Sequence, residues 1–180
     1  MAKRKQLELE RAFAPPFYPL SNYPIPLEDE TILVDMFSKL TATLDEPDLV
    51  VGMLAMALQE LSVPAELIPS AEDFLKQGWC IDQTDIVDFE KWLYKGHWWL
   101  LLGRSVAVVD KWWHVLGKEL RTEEVAVNEL YSLFQTAKIG DGTHGYAQVV
   151  EMFNLASDGK LYIDYLDFYV LLGRLGLLIV

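Results

Sequence analysis

Cysteine, basic side chains and long apolar runs are all scarce in this sequence. Its 180 residues include one cysteine, Cys80, so no disulfide can form within the chain. A single cysteine is typical of a reducing compartment, and we expect a cytoplasmic or other reducing intracellular location. No apolar run approaches the roughly 18 residues that a membrane-spanning helix requires, so we expect a soluble protein without a transmembrane segment.

Basic residues are outnumbered, because 15 Lys and Arg stand against 27 Asp and Glu and give a net charge of -12. Proteins that bind nucleic acids gain affinity by neutralising phosphates with Lys and Arg, so this balance argues against direct nucleic-acid binding. One alternative remains, a basic tail of Lys3, Arg4, Lys5 and Arg11 that would bind weakly and in a salt-sensitive way. The negative charge suits solubility or a basic partner better.

Catalytic and metal-binding patterns are missing as well. The histidines do not have zinc-ligand spacing, and Cys80 has no adjacent basic group to activate its thiol. Asp110 and His114 lie four residues apart on one helical face, and a small helical enzyme using this Asp–His pair is one hypothesis. A satisfied structural pair is the favoured interpretation, so we predict no catalytic residue and no cofactor.

Apolar and aromatic side chains, by contrast, are abundant. Hydrophobic residues make up 52% of the chain and aromatic residues 12%. This is enough for a sizeable core in one domain of this length. Most apolar residues recur at intervals of three and four, which is helical spacing. These patterns predict an all-α fold, a single globular domain of about seven or eight helices packed round a central Trp-rich helix.

The central helix is predicted over residues 97–117, which hold most of the six tryptophans. Trp98–Trp99 and Trp112–Trp113 are adjacent pairs, and neighbouring residues on a helix point about 100° apart. One member of each pair is therefore expected to face the core while the other faces outward. Gly103 indicates a kink or a close packing point, since glycine costs roughly 1 kcal/mol inside a helix.

The same periodicity, with caps and helix breakers, predicts further helices around the central one. They cover approximately residues 29–44, 48–61, 70–77, 85–95, 123–139 and 146–155. Gly96 is expected to end the fourth of these helices before the central helix begins. Residues 158–170 fit a helix and a strand about equally well, because short apolar runs do not distinguish the two.

Residues 1–28 differ in kind from the rest and are treated as a charged N-terminal segment followed by an extended arm. Five of the eight prolines fall in residues 15–26, with Phe17, Tyr18 and Tyr23 between them. Proline favours extended backbone, so the arm either lies over its own domain or docks on another protein. The helical domain is expected to cover residues 29–180.

One segment, Ile163–Phe168, resembles the end of an EF-hand loop and the start of its exit helix. A weaker echo is Val87–Trp92. The resemblance implies degenerate EF-hand-like helix-loop-helix units. Calcium in such a loop needs oxygen ligands at positions 1, 3, 5, 7, 9 and 12, but the weaker echo puts Cys80 at position 1 and Lys91 at position 12.

The stronger echo offers only weak metal candidates. They are Asn154, Asp158 and Asp167, and two extra loop residues are needed to bring Asn154 to the first position. We therefore expect no metal. A calcium- or metal-responsive EF-hand-like protein remains the main alternative function.

These observations favour a non-catalytic accessory or adaptor subunit of a larger protein assembly, acting through protein–protein contacts. Tyr and Trp dominate interface hot spots, and the apolar C-terminus either tucks into the domain or inserts into a partner. The candidate contact residues are Phe17, Tyr18, Tyr23, Trp98, Trp99, Trp112, Trp113, Leu177, Leu178 and Ile179.

Overall fold

The structure is a computed structural model that describes residues 25–44, 48–137 and 145–178. Within these ranges it contains seven α-helices, two 3-10 turns and one two-stranded sheet, so the all-α prediction is confirmed. The helices are α1 (Leu27–Leu44), α2 (Leu54–Glu60), α3 (Ala71–Lys76), α4 (Phe89–Val115), α5 (Val127–Ala137), α6 (Tyr146–Ser157) and α7 (Tyr165–Arg174). The strands are β1 (Val125–Ala126) and β2 (Tyr162–Ile163), and the 3-10 turns are Val51–Met53 and Ala65–Leu67. None of the described helices combines the length and the apolarity needed to cross a membrane.

The described residues fall into two compact units, with Arg104 the last residue of one and Ser105 the first of the other. The N-terminal unit contains α1 to α3 and the first part of α4. The C-terminal unit contains the rest of α4, both strands and α5 to α7. One helical domain over residues 29–180 stays a prediction, and most of the segment 1–28 lies outside the described residues.

Helix α4, which contains most of the predicted central helix, is longer than expected, at 27 residues. It runs through Gly96, so the prediction of two helices separated at this glycine is wrong. A Cβ atom at Gly96 would lie 3.2 Å from Cδ2 of Leu33 in α1, and the indole N–H of Trp92 donates to the Leu33 carbonyl at 2.9 Å. The glycine therefore lets α1 lie close to α4 instead of ending a helix.

Helices α1, α3 and α6 lie close to where the sequence places them. Ser70 caps α3 as expected, since its hydroxyl accepts a hydrogen bond from the Asp73 N–H. Helix α2 begins later than predicted, because Val50 forms an antiparallel bridge with Ile86 and a 3-10 turn follows.

Helix α5 also begins later than predicted, and the reason is the sheet. Val125 pairs with Ile163 and Ala126 with Tyr162 in the antiparallel sheet. The residues just after Thr122 are consequently loop and strand, and the prediction of a helix start there is wrong.

The ambiguous segment 158–170 is strand and then helix. Asp158, at the end of α6, and Gly159 both have positive φ, 50° and 83°, and turn the chain toward β2. Asp164 then caps α7, because its carboxylate accepts a hydrogen bond of 2.8 Å from the Asp167 N–H.

Candidate functional site

The C-terminal unit contains two helix-loop-helix segments whose loops are joined by the β1–β2 pair. One segment is the end of α4, a loop and α5, and the other is α6, a loop and α7. Val125 and Ile163 are direct partners in the pair. An acid stands four residues after each partner, Glu129 in α5 and Asp167 in α7. This paired arrangement resembles two EF-hand units side by side.

Counting twelve residues to each acid defines two loops, 118–129 and 156–167, which we name the first and second loop. Sequence reasoning found the second loop but missed the first. The first loop was overlooked because Lys118, Leu120 and Ala126 stand where calcium loops have oxygen donors, at positions 1, 3 and 9. The one EF-hand feature that we identify in the sequence of the first loop is an apolar residue, Val125, four residues before an acid.

The acid that ends the first loop is held by a lysine of the same loop. The Lys118 ammonium lies 2.9 Å from Oε1 of Glu129, and the Ala126 N–H donates to Oε2 at 2.8 Å. Burial alone would raise the pKa of the Glu129 carboxyl, but these two donors outweigh it and hold that pKa below its usual value. The carboxylate is therefore charged, and both of its oxygens are occupied.

The second loop repeats this pattern with different residues. The Lys160 ammonium donates to Oδ2 of Asp167 at 2.9 Å and lies 3.7 Å from Oδ2 of Asp164. The Asp164 N–H donates to the same Asp167 oxygen at 3.3 Å. The hydrogen bond to Asp167 is the main reason that the pKa of Lys160 is raised.

Two of the three weak metal candidates are exposed, and the third is bound by a lysine. Asn154 is exposed on α6, Asp158 is an exposed residue in the left-handed conformation, and Asp167 is bonded to Lys160. Among all described residues, no group of three or more His, Cys, Asp or Glu side chains is placed to hold a metal ion.

In the weaker EF-hand-like segment, which lies in the N-terminal unit, a lysine also connects the two ends of the loop. The Lys91 ammonium donates to the Cys80 carbonyl at 2.8 Å, so the residue expected at position 12 contacts the residue expected at position 1. Asp88 caps the start of α4 through a 3.1 Å hydrogen bond from the Lys91 N–H. Burial raises the pKa of the Cys80 thiol, which makes this buried cysteine a poor nucleophile.

The hypothetical Asp–His pair is not an acid–imidazole pair in this structure. Both oxygens of Asp110 accept hydrogen bonds from Arg121, at 2.9 and 2.7 Å, and Tyr165 adds a third at 2.8 Å. The exposed His114 ring instead lies 2.6 Å from the Asp110 backbone oxygen. The Asp110 carboxylate thus joins α4 to α7 and to the loop that holds Arg121.

An acid–imidazole contact that the sequence did not reveal lies in the N-terminal unit. Asp29, only 6% exposed, accepts from Arg104 at 2.7 Å and lies 2.9 Å from the His97 ring nitrogen. Both partners are on α4 and Asp29 is in the first turn of α1. The cluster connects two helices, and its three partners satisfy one another.

Each tryptophan pair has one buried member, as expected, while the other member is half-buried rather than exposed. Trp99 and Trp113 are 5% and 1% exposed, while Trp98 and Trp112 are half-buried. The Trp113 ring lies against Tyr165, and its N–H donates to the Leu120 carbonyl at 3.0 Å. Trp99 and Trp113 therefore belong to the packed interior rather than to a contact surface.

The remaining contact candidates lie at the two ends of the chain. Leu178 is buried and Leu177 is half-buried, so the Leu178 side chain is not part of a free apolar tail. Phe17, Tyr18, Tyr23 and Ile179 lie outside the described residues.

Other apolar side chains are exposed instead, and sequence reasoning did not single them out. Leu161, at 83%, and Leu27, at 79%, are the most exposed large hydrophobic residues in the described chain. The others in the C-terminal unit are Val115, Leu120, Tyr146, Leu155 and Tyr162. Those in the N-terminal unit are Met56, Leu75, Ile81, Phe89 and Tyr94. Several of them, Leu120 and Leu161 included, stand in loops, where apolar side chains are unusual.

Comparison with known proteins gives one informative likeness. The chain is similar to the DNA repair protein RAD33 of Saccharomyces cerevisiae (strain ATCC 204508 / S288c). The two are 28% identical over 167 residues, which cover 87% of this chain and 90% of that protein. No family model matches the chain, and no solved structure matches it. The likeness to a DNA repair protein thus extends over most of both units.

Proposed function

We propose that the chain is a non-catalytic accessory or adaptor subunit of an assembly that repairs DNA, and that it acts through protein–protein contacts. The observation that carries the proposal is the likeness to a DNA repair protein along 87% of the chain. We expect the chain in the compartment where DNA is repaired, the nucleus in a eukaryotic cell, rather than in the cytoplasm specifically.

The charge of the chain favours contact with proteins over contact with DNA. A net charge of -12 opposes binding to phosphates, and many of the lysines and arginines are already held by internal acids or carbonyls. Lys118, Lys160 and Arg104 are three examples. In this role the chain would support a partner that binds DNA and would make no direct contact with DNA.

The exposed apolar side chains are candidates for these protein–protein contacts. Leu161 and Leu27 project from different units, and apolar side chains left in water favour association. The half-buried Trp98, Trp112 and Leu177 remain contact candidates together with the aromatic residues of the arm.

The test uses cells of the source organism in which the gene is deleted or replaced by tagged variants. We expect the deletion to make cells sensitive to DNA damage and the tagged chain to recover known repair factors. Leu161→Asp and Leu27→Asp should each keep the fold, because both side chains are largely in water. At least one of them should lose the repair factors and fail to restore damage resistance.

The matched control is Asn154→Asp, which adds the same negative charge at an exposed polar position and should behave as the unmodified chain. Normal damage resistance in the deletion strain, or a tagged chain that recovers no repair factor, would overturn the proposal. Tight binding of the purified chain to DNA at about 0.15 M salt would overturn the indirect role.

A further inference from the structure

The two paired loops share a detail that the resemblance to EF-hands does not explain. In each loop the final carboxylate accepts from a backbone N–H three residues earlier, and a lysine ammonium lies 2.9 Å from it. The lysines come from different places, Lys118 at position 1 of the first loop and Lys160 at position 5 of the second. The two lysines stand at different loop positions but make the same contact with the final carboxylate. The shared feature is therefore this contact and not the position of the lysine.

The residues of the first loop do not fit calcium. Calcium needs six to eight oxygens, with side-chain donors at positions 1, 3 and 5 and a bidentate Glu at position 12. The first loop has Lys118, Leu120 and Thr122 at the early positions, so Thr122 and Glu129 are its only side-chain oxygens at ligand positions 1, 3, 5, 9 and 12. Glu129 is already bonded through both oxygens.

The residues of the second loop do not fit calcium either. Ala156 stands at position 1 and Lys160 at position 5, which leaves Asp158, Asp164 and Asp167. An ammonium group at a ligand position both removes an oxygen and repels a cation placed beside it.

We propose that the ammonium groups of Lys118 and Lys160 take the place of bound calcium ions as the positive charges that hold the paired loops in one conformation. The loops then keep this conformation without calcium. Each ammonium supplies positive charge to the carboxylate that begins the exit helix, α5 or α7. Unlike a free ion, it is attached to the chain and cannot dissociate. The inference concerns the C-terminal unit alone and does not depend on the proposed role in DNA repair.

The local geometry shows where each positive charge acts. Glu129 and Asp167 each turn back to accept an N–H ahead of their helix, which holds the loop against the helix start. Negative charge at this end also suits the helix dipole. Lys118 then connects the two ends of the first loop, and Lys160 connects the middle of the second loop to its last residue, as an ion would. The contact in the first loop is the more protected, because the Lys118 side chain is 15% exposed and that of Lys160 is 56% exposed.

The consequence is an interaction module that does not respond to calcium. Calcium-sensing EF-hand pairs change the angle between their helices when the ion binds. A pair with internal ammonium groups has no such ligand, so its exposed side chains, Leu120, Leu161 and Tyr162 among them, are presented at every calcium concentration.

The experiment measures thermal unfolding of the full chain in millimolar calcium and in chelator, with isothermal titration calorimetry beside it. For the unmodified chain we expect no heat of binding and the same Tm in both solutions. Lys118→Met and Lys160→Met should each lower Tm by about 2–4 °C, with the larger loss at Lys118, and calcium should not restore it. Lys111→Met, on the exposed surface of α4 outside both loops, is the control and should leave Tm unchanged.

Two further variants separate charge from folding. Lys118→Arg keeps the positive charge and should keep most of the stability that Lys118→Met loses. Lys160→Asp combined with Ala156→Asp replaces the ammonium with oxygens and gives carboxylates at positions 1, 3, 5, 9 and 12, so this double variant should be unstable in chelator and regain Tm in millimolar calcium. The proposal is overturned if calcium raises the Tm of the unmodified chain, if both Met variants match Lys111→Met, or if calcium leaves the double variant unchanged.

Discussion

Gly103 lies directly against the backbone of Leu61, so that a Cβ atom at position 103 would be 2.0 Å from the Leu61 carbonyl oxygen. Of the two alternatives predicted for Gly103, a kink or a close packing point, this contact supports the close packing point. Both residues belong to the N-terminal unit. The glycine is present because no other residue lets α4 lie this close to the end of α2.

The substitution Gly103→Ala should therefore destabilise the protein. Alanine normally favours a helix by roughly 1 kcal/mol over glycine, but here a backbone oxygen must move, and overpacking of this kind costs about 3 kcal/mol. Urea unfolding followed by circular dichroism measures the change. Gly52→Ala is the control, because no described atom lies within 4 Å of a Cβ atom there. Equal stability of the two variants would contradict the packing argument.

The two glycines of α4 show what periodicity cannot reveal. Both glycines interrupt the helical pattern of the sequence, yet both lie inside α4. Gly103 packs against Leu61, and Gly96 packs against Leu33. A sequence shows that a side chain is missing but not that a neighbour fills the space. The prediction of a helix boundary at Gly96 was wrong because the space beside this glycine is filled by Leu33.

The paired loops show a second limit. Strands β1 and β2 are two residues each, too short for alternation to be visible, and they exist because distant parts of the chain pair. The contact between Lys118 and Glu129 likewise depends on the fold of the loop rather than on helical spacing. By contrast, a difference in burial between the two members of each tryptophan pair was predictable, since adjacent helical residues point about 100° apart whatever their neighbours are.

That division within a tryptophan pair gives the second prediction. Trp113→Ala should cost about 3–5 kcal/mol, as large-to-small changes in a core do, because the ring lies against Tyr165 and Phe168. Trp112→Ala, one residue away and half-buried, should cost about 1 kcal/mol. Guanidinium unfolding of the two variants tests this, and a larger loss at Trp112 would show that the faces are reversed.

The third prediction concerns the Asp110 carboxylate and pH. Burial would raise its pKa, but hydrogen bonds from Arg121 and Tyr165 outweigh burial and hold that pKa below the usual value of 3.8. A lowered pKa in the folded state stabilises the protein above the pKa of the unfolded chain, and the stabilisation disappears as pH falls through the folded pKa. Asp110→Asn should therefore lose about 1–2 kcal/mol at pH 7.

Stability at low pH distinguishes the loss of an electrostatic contact in Asp110→Asn from a general loss of packing. Stability of the unmodified chain and of Asp110→Asn should converge as the pH falls below about 4. Tyr165→Phe, which removes one hydrogen bond and leaves the Arg121 pair, should lose about 1 kcal/mol at pH 7. Urea unfolding at a series of pH values gives both results, and a constant difference between Asp110→Asn and the unmodified chain would disprove the electrostatic account.

The fourth prediction concerns Asp29, whose buried carboxylate contacts Arg104 and His97 on α4. Asp29→Asn would leave the Arg104 charge without its partner and remove a negative charge from the first turn of α1. Each effect is unfavourable, and we expect a loss of about 2–3 kcal/mol in urea unfolding at pH 7. Glu28→Gln, in the same turn but exposed, should lose less than about 0.5 kcal/mol.

A double-mutant cycle shows whether the Asp29 loss comes from the arginine. If the pair acts as a unit, Arg104→Gln added to Asp29→Asn should cost much less than Arg104→Gln alone, with a coupling energy above about 1 kcal/mol. Additive losses would mean that the Asp29 loss comes from the contact with His97 or from the first turn of α1, and not from the contact with Arg104.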